Sequence, residues 1–154
     1  MTPSALDAVE ACLERIRLAW NAADARAYAG EFTADATYVI FLGEALLGRE
    51  AIERTHIDVL ARWQKGTTMA IKTIGMRQLG DDVAAALTIG GIGKGHEIPY
   101  DKLQSFTMVR RDGRWLCAAF QNTQMSRSAR RLHNGGGASG LAQAWRRWTE
   151  RRAP

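Results

Sequence analysis

Apolar residues first recur along the chain at helical steps. Leu6, Val9, Leu13, Ile16 and Trp20 follow one another at intervals of three and four, which places them on one buried stripe of a helix. Ser4 precedes the run as an N-cap, and Asp7 puts an acid at the positive end of the helix dipole. This pattern predicts a helix to about Asn21. Ala22, Ala23 and Asp24 break it, and Asp24 caps a shorter helix through Tyr28 and Phe32. Thr33-Ala34-Asp35 reads as a turn, and ATYVIFL (36–42) as a nearly all-apolar strand ended by Gly43. Gly48 precedes a third helix over 49–63, with Ile52, His56, Val59, Leu60 and Trp63 on its stripe and Lys65-Gly66 as its stop.

From residue 67 the period falls to two. Residues 67–79 alternate apolar with polar positions, Gly80-Asp81-Asp82 turns the chain, and VAAALTIGGI (83–92) pairs back. Gly90-Gly91 inside that strand predicts a bulge or a sharp bend. Asp112-Gly113 is a strong hairpin signal joining residues 102–111 to 114–122. The last run carries Trp115 to Phe120 without a charge, so both its faces need cover. Period two sets Leu116, Ala118, Phe120 and Asn122 on one face, against Trp115, Cys117, Ala119 and Gln121 on the other. The first row, ending in an amide, is the candidate pocket wall. The order helix, helix, strand, helix, then four antiparallel strands predicts an α+β fold.

A chain of 154 residues, 46% hydrophobic and 24% charged, suits one soluble domain with a sizeable core. Its net charge of +5 is unevenly placed. Residues 1–122 carry 14 basic against 15 acidic side chains, whereas residues 123–154 carry seven Arg against Glu150 alone. The body is therefore nearly neutral and offers no basic patch. The predicted organisation is a domain over 1–123, a Gly/Ser/Arg-rich linker over 124–140, and a basic amphipathic tail over 141–154 with Leu141, Trp145 and Trp148 on one stripe. So short a helix is ordered only when docked. Such a tail either grips nucleic acid, an anionic membrane or an acidic partner, or serves more simply as a solubilising extension.

The remaining classes are excluded by what the chemistry requires. No run approaches the roughly 18 apolar residues of a membrane helix, and the N-terminus lacks a secretory pattern, so a cytoplasmic protein is expected. Cys12 and Cys117 lie in apolar runs and read as small buried hydrophobes. His56, His96 and His133 are scattered without metal-ligand spacing, and His96 and His133 read as solvated loop residues. Residues 90–95 (GGIGKG) look like a phosphate loop, but a strand follows where a helix is required. Neither metal nor cofactor is expected.

Three stretches, AWNAADARAYAGEFTADATYVIF (19–41), GREAIERTHIDVLARWQKGT (48–67) and FTMVRRDGRWLCAAFQNT (106–123), resemble nuclear-transport-factor-2-like domains. That is the cystatin-like fold shared with ketosteroid isomerases and SnoaL-type cyclases, and the likeness is greatest to the SgcJ/EcaC group of polyketide and enediyne gene clusters. The resemblance implies a cone-shaped curved antiparallel sheet wrapped around three N-terminal helices. It further implies a mouth that admits small apolar molecules and an outer sheet face that pairs in a homodimer. A fold does not fix a reaction. Ketosteroid isomerases use a carboxylate base with a Tyr and a protonated Asp. Laid on this chain, the tyrosine position falls at Ile16, the base at Ile40 and the neutral acid near Phe106, so steroid isomerisation is not expected.

The candidate ligand-binding residues are Trp20, Tyr38, Ile40, Trp63, Phe106, Ala118, Phe120 and Asn122, with Gln104 a further polar group able to face the cavity. His56 is either a buried neutral histidine satisfied by a backbone carbonyl or the cavity's acid/base group, its ordinary pKa suiting the latter. The functional expectation is a binder of a small polyketide-like or polycyclic molecule, with Tyr38, His56 and Asn122 orienting it. The alternative is a cofactor-independent cyclase, isomerase or hydratase working through His56.

Overall fold

The computed structural model describes residues 4–134. Helix α1 (Ala5–Asn21) starts at a reciprocal cap, in which Asp7 N–H donates to Ser4 Oγ while Ser4 N–H donates to Asp7 Oδ2. Helix α2 (Ala25–Gly30) is capped by Asp24, whose Oδ1 accepts from Ala27 N–H. Strand β1 (Phe32–Val39) runs through the stretch expected to turn at 33–35. An unexpected short strand β2 (Ala45–Leu47) pairs back on it.

Helix α3 (Arg49–Asp58) passes into a π-helical turn over Val59–Trp63, closed by Gln64 N–H donating to Val59 O at 2.7 Å. A π turn accommodates one more residue than an α turn. The apolar stripe therefore slips by one position after Leu60. Trp63, expected on that stripe and in the pocket, is instead 72% exposed.

Four long strands follow: β3 (Thr68–Gly80), β4 (Val83–Gly93), β5 (Lys102–Arg111) and β6 (Arg114–Gln124). With β1 and β2 they curl into a six-stranded sheet of order β2-β1-β6-β5-β4-β3. All pairings are antiparallel except β1 with β6, which is parallel. At the β5–β6 turn Asp112 and Gly113 take φ of 52° and 76°, the left-handed pair that matches strand twist. Helix α1 lies on the concave face, held in part by Thr73 Oγ1 donating to Glu10.

One irregularity re-aims the last strand. Met108 pairs with Cys117 and Thr107 with Ala119, so Ala118 is an extra residue in β6. The inward row is thus Trp115, Cys117, Phe120 and Asn122, corrected from the uninterrupted alternation that put Leu116 and Ala118 beside Phe120. Trp115, Cys117 and Phe120 are buried, and Leu116 and Ala118 only half so. Gly90 and Gly91, by contrast, keep regular register with Ile71 and Ala70. They mark close approach, not a bulge: a Cβ on Gly91 would lie 1.7 Å from Pro99 O.

Helix α4 (Arg127–Asn134) forms within residues 124–140. His133 is buried on it, which corrects the solvated loop position expected for it. The tail over 141–154 lies outside the described residues. Among those residues, no helix is long and apolar enough to cross a membrane.

Candidate functional site

The concave interior is built of aromatic rings from three layers. Trp20 comes from α1, Tyr28 from α2, Phe32 and Tyr38 from β1, and Phe106 and Phe120 from β5 and β6. All are at most 5% exposed. Parallel pairing sets Tyr38 opposite Phe120, and antiparallel pairing sets Phe120 opposite Phe106. Their ring centroids stand 4.5 Å and 4.9 Å apart, within the range where tilted rings attract. His56 reaches the same cluster from α3, its ring 4.5 Å from Tyr28, 5.3 Å from Tyr38 and 6.0 Å from Trp20.

The hydrogen bonds fix the protonation of these groups. His56 Nδ1 lies 2.7 Å from Ile52 O. A carbonyl only accepts, so Nδ1 carries the hydrogen and Nε2 presents a lone pair. Burial lowers the His56 pKa from its ordinary value, against the opposing effect of the Ile52 bond. The imidazole is therefore neutral at neutral pH and acts as an acceptor or a base. The Tyr28 and Tyr38 hydroxyls are 2.8 Å apart. Burial pushes both pKa values up, so both stay protonated. One hydroxyl donates to the other, and the second hydrogen takes no part in that bond.

One buried acid stands outside every sequence expectation. Glu31, at the end of α2, holds Arg15 at 2.9 Å and Arg114 at 2.5 Å, and Cys12 Sγ donates to its Oε2 at 3.4 Å. Cys117 N–H also donates to its carbonyl. With both oxygens so engaged, Glu31 ties α1, α2 and β6 together and is not available as a base. Nothing local marks it in the sequence, because its partners lie 16 and 83 residues away. Both cysteines are buried and free, and burial pushes the Cys12 thiol up to about 12.

Of the sequence-predicted site residues, Trp20, Tyr38, His56, Phe106 and Phe120 come together. Ile40 is half-buried at the end of β1, and Asn122 is half-buried on the inward row, accepting from Phe41 N–H at 2.7 Å. Gln104 is buried on the concave face of β5, its Oε1 accepting from Thr88 Oγ1 at 2.8 Å. Trp63 and Ala118 do not join the cluster. Tyr28 was missed, although a Tyr four residues after a cap on a short helix points to one face with its neighbours. An open groove of about 820 Å³ lies elsewhere, between the α1–α2 turn and α3, with Ala23, Arg26, Glu53, Leu60 and Lys65 among its walls and no residue from the sheet. Among the described residues, no three His, Cys, Asp or Glu side chains group as metal ligands.

This arrangement of helices on the concave side of a curled sheet recurs in solved structures. A domain of unknown function from Nostoc punctiforme PCC 73102 is 23% identical with a TM-score of 0.76, the match covering 97% of this chain and 95% of that one. It is described as having a cystatin-like fold. That is the fold of this chain. An NTF-2 like protein of unknown function from Shewanella oneidensis MR-1 is 13% identical with a TM-score of 0.69, over 79% of this chain and all of its own. A ketosteroid isomerase-like protein from Erwinia carotovora atroseptica SCRI1043 is 17% identical with a TM-score of 0.63, over 81% and 99%. At these identities the likeness shows the cystatin-like fold alone. No protein-family model matches the chain, and neither does any curated protein.

Proposed function

We propose that the concave interior binds a small, largely apolar planar molecule, polyketide-like or polycyclic. His56, Tyr38 and Asn122 orient it. The observation that carries this reading is a neutral imidazole whose Nε2 is left outside the Ile52 bond, set among rings that are themselves almost wholly buried. Apolar walls with a few convergent polar groups are the usual makeup of a small-molecule site. Within the fold, the SgcJ/EcaC group of secondary metabolism is the nearest functional context, and the cytoplasm its compartment. An uncharged outer patch on β4–β6, including Ala85, Leu87, Thr107 and Leu116, supports a homodimer through that face. Sedimentation that finds only monomer at micromolar concentration rejects the dimer.

A second reading makes the site a cofactor-independent cyclase, isomerase or hydratase. The contact of His56 with both tyrosine rings favours it, because a neutral base beside a protonated hydroxyl pair suits proton transfer. Glu31, the buried acid among the described residues, is committed to its arginines. Ile16 and Phe106 are plain core and Ile40 is half-buried, so isomerase chemistry of the steroid type has no groups at those positions. His56→Gln separates the readings: under binding alone, ligand affinity survives; under catalysis, turnover is lost while affinity stays. A turnover that persists unchanged in the variant rejects the catalytic reading.

A further inference from the structure

We propose that Gln104 selects the ligand by donating its amide hydrogens to a neutral acceptor oxygen, a ring carbonyl, on a molecule lying against Phe106 and Phe120. This rests on the concave interior being a small-molecule site, and it adds which oxygen chemistry the site reads. The sheet register supplies the placement. Ala86, Phe106, Phe120 and Tyr38 form one cross-strand rung, and Thr88, Gln104 and Asn122 form the next rung on the same face, about 7 Å further along the strands.

Within that polar rung the oxygens are spoken for. Gln104 is 6% exposed, and its Oε1 accepts from the fully buried Thr88 hydroxyl. Its Nε2 takes no part in that bond and is not among the sealed, unpartnered side-chain atoms, so a ligand or solvent oxygen can reach it. Asn122 repeats the arrangement at the rim. Its Oδ1 accepts from Phe41 N–H, a group that cannot accept, so the amide orientation is fixed and Nδ2 faces away from that bond. Two amide donors thus stand on directly paired residues of neighbouring strands.

Gly90 makes the room. A Cβ there would lie 2.5 Å from Gln104 Oε1 and 2.7 Å from Ala70 O, so only glycine lets the glutamine amide lie across β4 in this position. The charge pattern picks the oxygen. Lys102, the next inward residue of β5, is paired with Asp101 at 2.9 Å, which leaves the rung to neutral donors suited to a carbonyl over a carboxylate. At the far side of Tyr38, His56 Nε2 offers an acceptor. The class so defined is a planar aromatic ketone, with a hydroxyl where it meets His56.

The test titrates the full chain with 1-tetralone and with tetralin, which has the same rings and no oxygen. Wild type is expected to prefer the ketone about tenfold, the effect of one net hydrogen bond. In Gln104→Leu that preference collapses while tetralin affinity holds. The ¹⁵N side-chain resonance of Gln104, assigned by its loss in the variant, shifts with tetralone and not with tetralin. Should the variant fail to fold, the signal is assigned by through-bond correlation in wild type and decides alone. A preference that persists without Gln104, or an unmoved resonance, overturns the proposal. Equal binding of both probes overturns it while sparing the binding site, and binding of neither by wild type overturns both.

Discussion

The Tyr28–Tyr38 hydroxyl pair offers a perturbation whose size follows from the structure. Each Tyr→Phe change removes one oxygen and leaves its ring, so the contacts of Tyr28 with Phe32 and of Tyr38 with Phe120 persist. What changes is the partner. Tyr28 is 2% exposed, and in Tyr38→Phe its hydroxyl keeps no mate. Stranding a buried hydroxyl costs about 1–3 kcal/mol, whereas removing both partners is nearly neutral. Each single variant is therefore expected to lose about 2 kcal/mol, or about 4–8 °C in Tm for a chain of this size. The double variant should lose no more than either single one, a coupling of about 1–3 kcal/mol. Urea denaturation of the four proteins, monitored by far-UV circular dichroism, measures the cycle. Additive losses would refute the pairing, because they would mean the hydroxyls never shared a bond.

Three further outcomes follow from separate features. His56 has its pKa lowered by burial, so the unfolded chain takes up a proton that the folded chain resists; stability is full above pH 6.5 and falls as pH drops below it. His56→Phe should flatten that acid limb in chemical denaturation, and an identical slope in both proteins contradicts the assignment. Glu31→Gln should cost about 2–3 kcal/mol, less than a fully buried pair, because Arg15 and Arg114 are 40% and 55% exposed; a loss under about 0.5 kcal/mol would make it an ordinary surface contact. Gly91→Ala drives a Cβ into Pro99 backbone and should cost about 3 kcal/mol or more, while Gly30→Ala, with open space around it, should be neutral or stabilising; equal thermal stabilities of the two variants would defeat this reading.

Local signals carried much of the fold. The apolar stripe from Leu6 to Trp20, the Ser4 cap and the Asp112-Gly113 turn each depend on residues near one another, and each structure element stands where its signal lies. Failures occur where a distant partner decides. Strand β1 begins at Phe32 because Phe32 and Thr37–Val39 pair with β6, some 80 residues on, and Thr33-Ala34-Asp35 fall in the irregular stretch between those paired residues. Ala118 bulges out of register, and a period-two reading, which cannot count an extra residue, assigns the wrong half of β6 inward. The π turn does the same to Trp63. Gly90-Gly91 keep regular register where a bulge or a sharp bend was expected, because the packing of Pro99 and Gln104 against them, which decides their role, comes from other strands and loops. In the site, Tyr38, His56, Phe106 and Phe120 were legible as aromatic or polar residues on apolar rows. Glu31 and Thr88 were not, since nothing but tertiary structure brings Arg114 to the one and Gln104 to the other.

The most direct test of a ligand site in the concave interior is a two-dimensional NMR titration of the full chain with 1-tetralone, following the imidazole nitrogens of His56 and the ring protons of Tyr38, Phe106 and Phe120. Saturable shifts concentrated at these residues, with His56 Nε2 staying unprotonated at pH 7, are the predicted result. Shifts confined to the groove beside Arg26 and Lys65, with the interior rings unmoved at saturation, would contradict it.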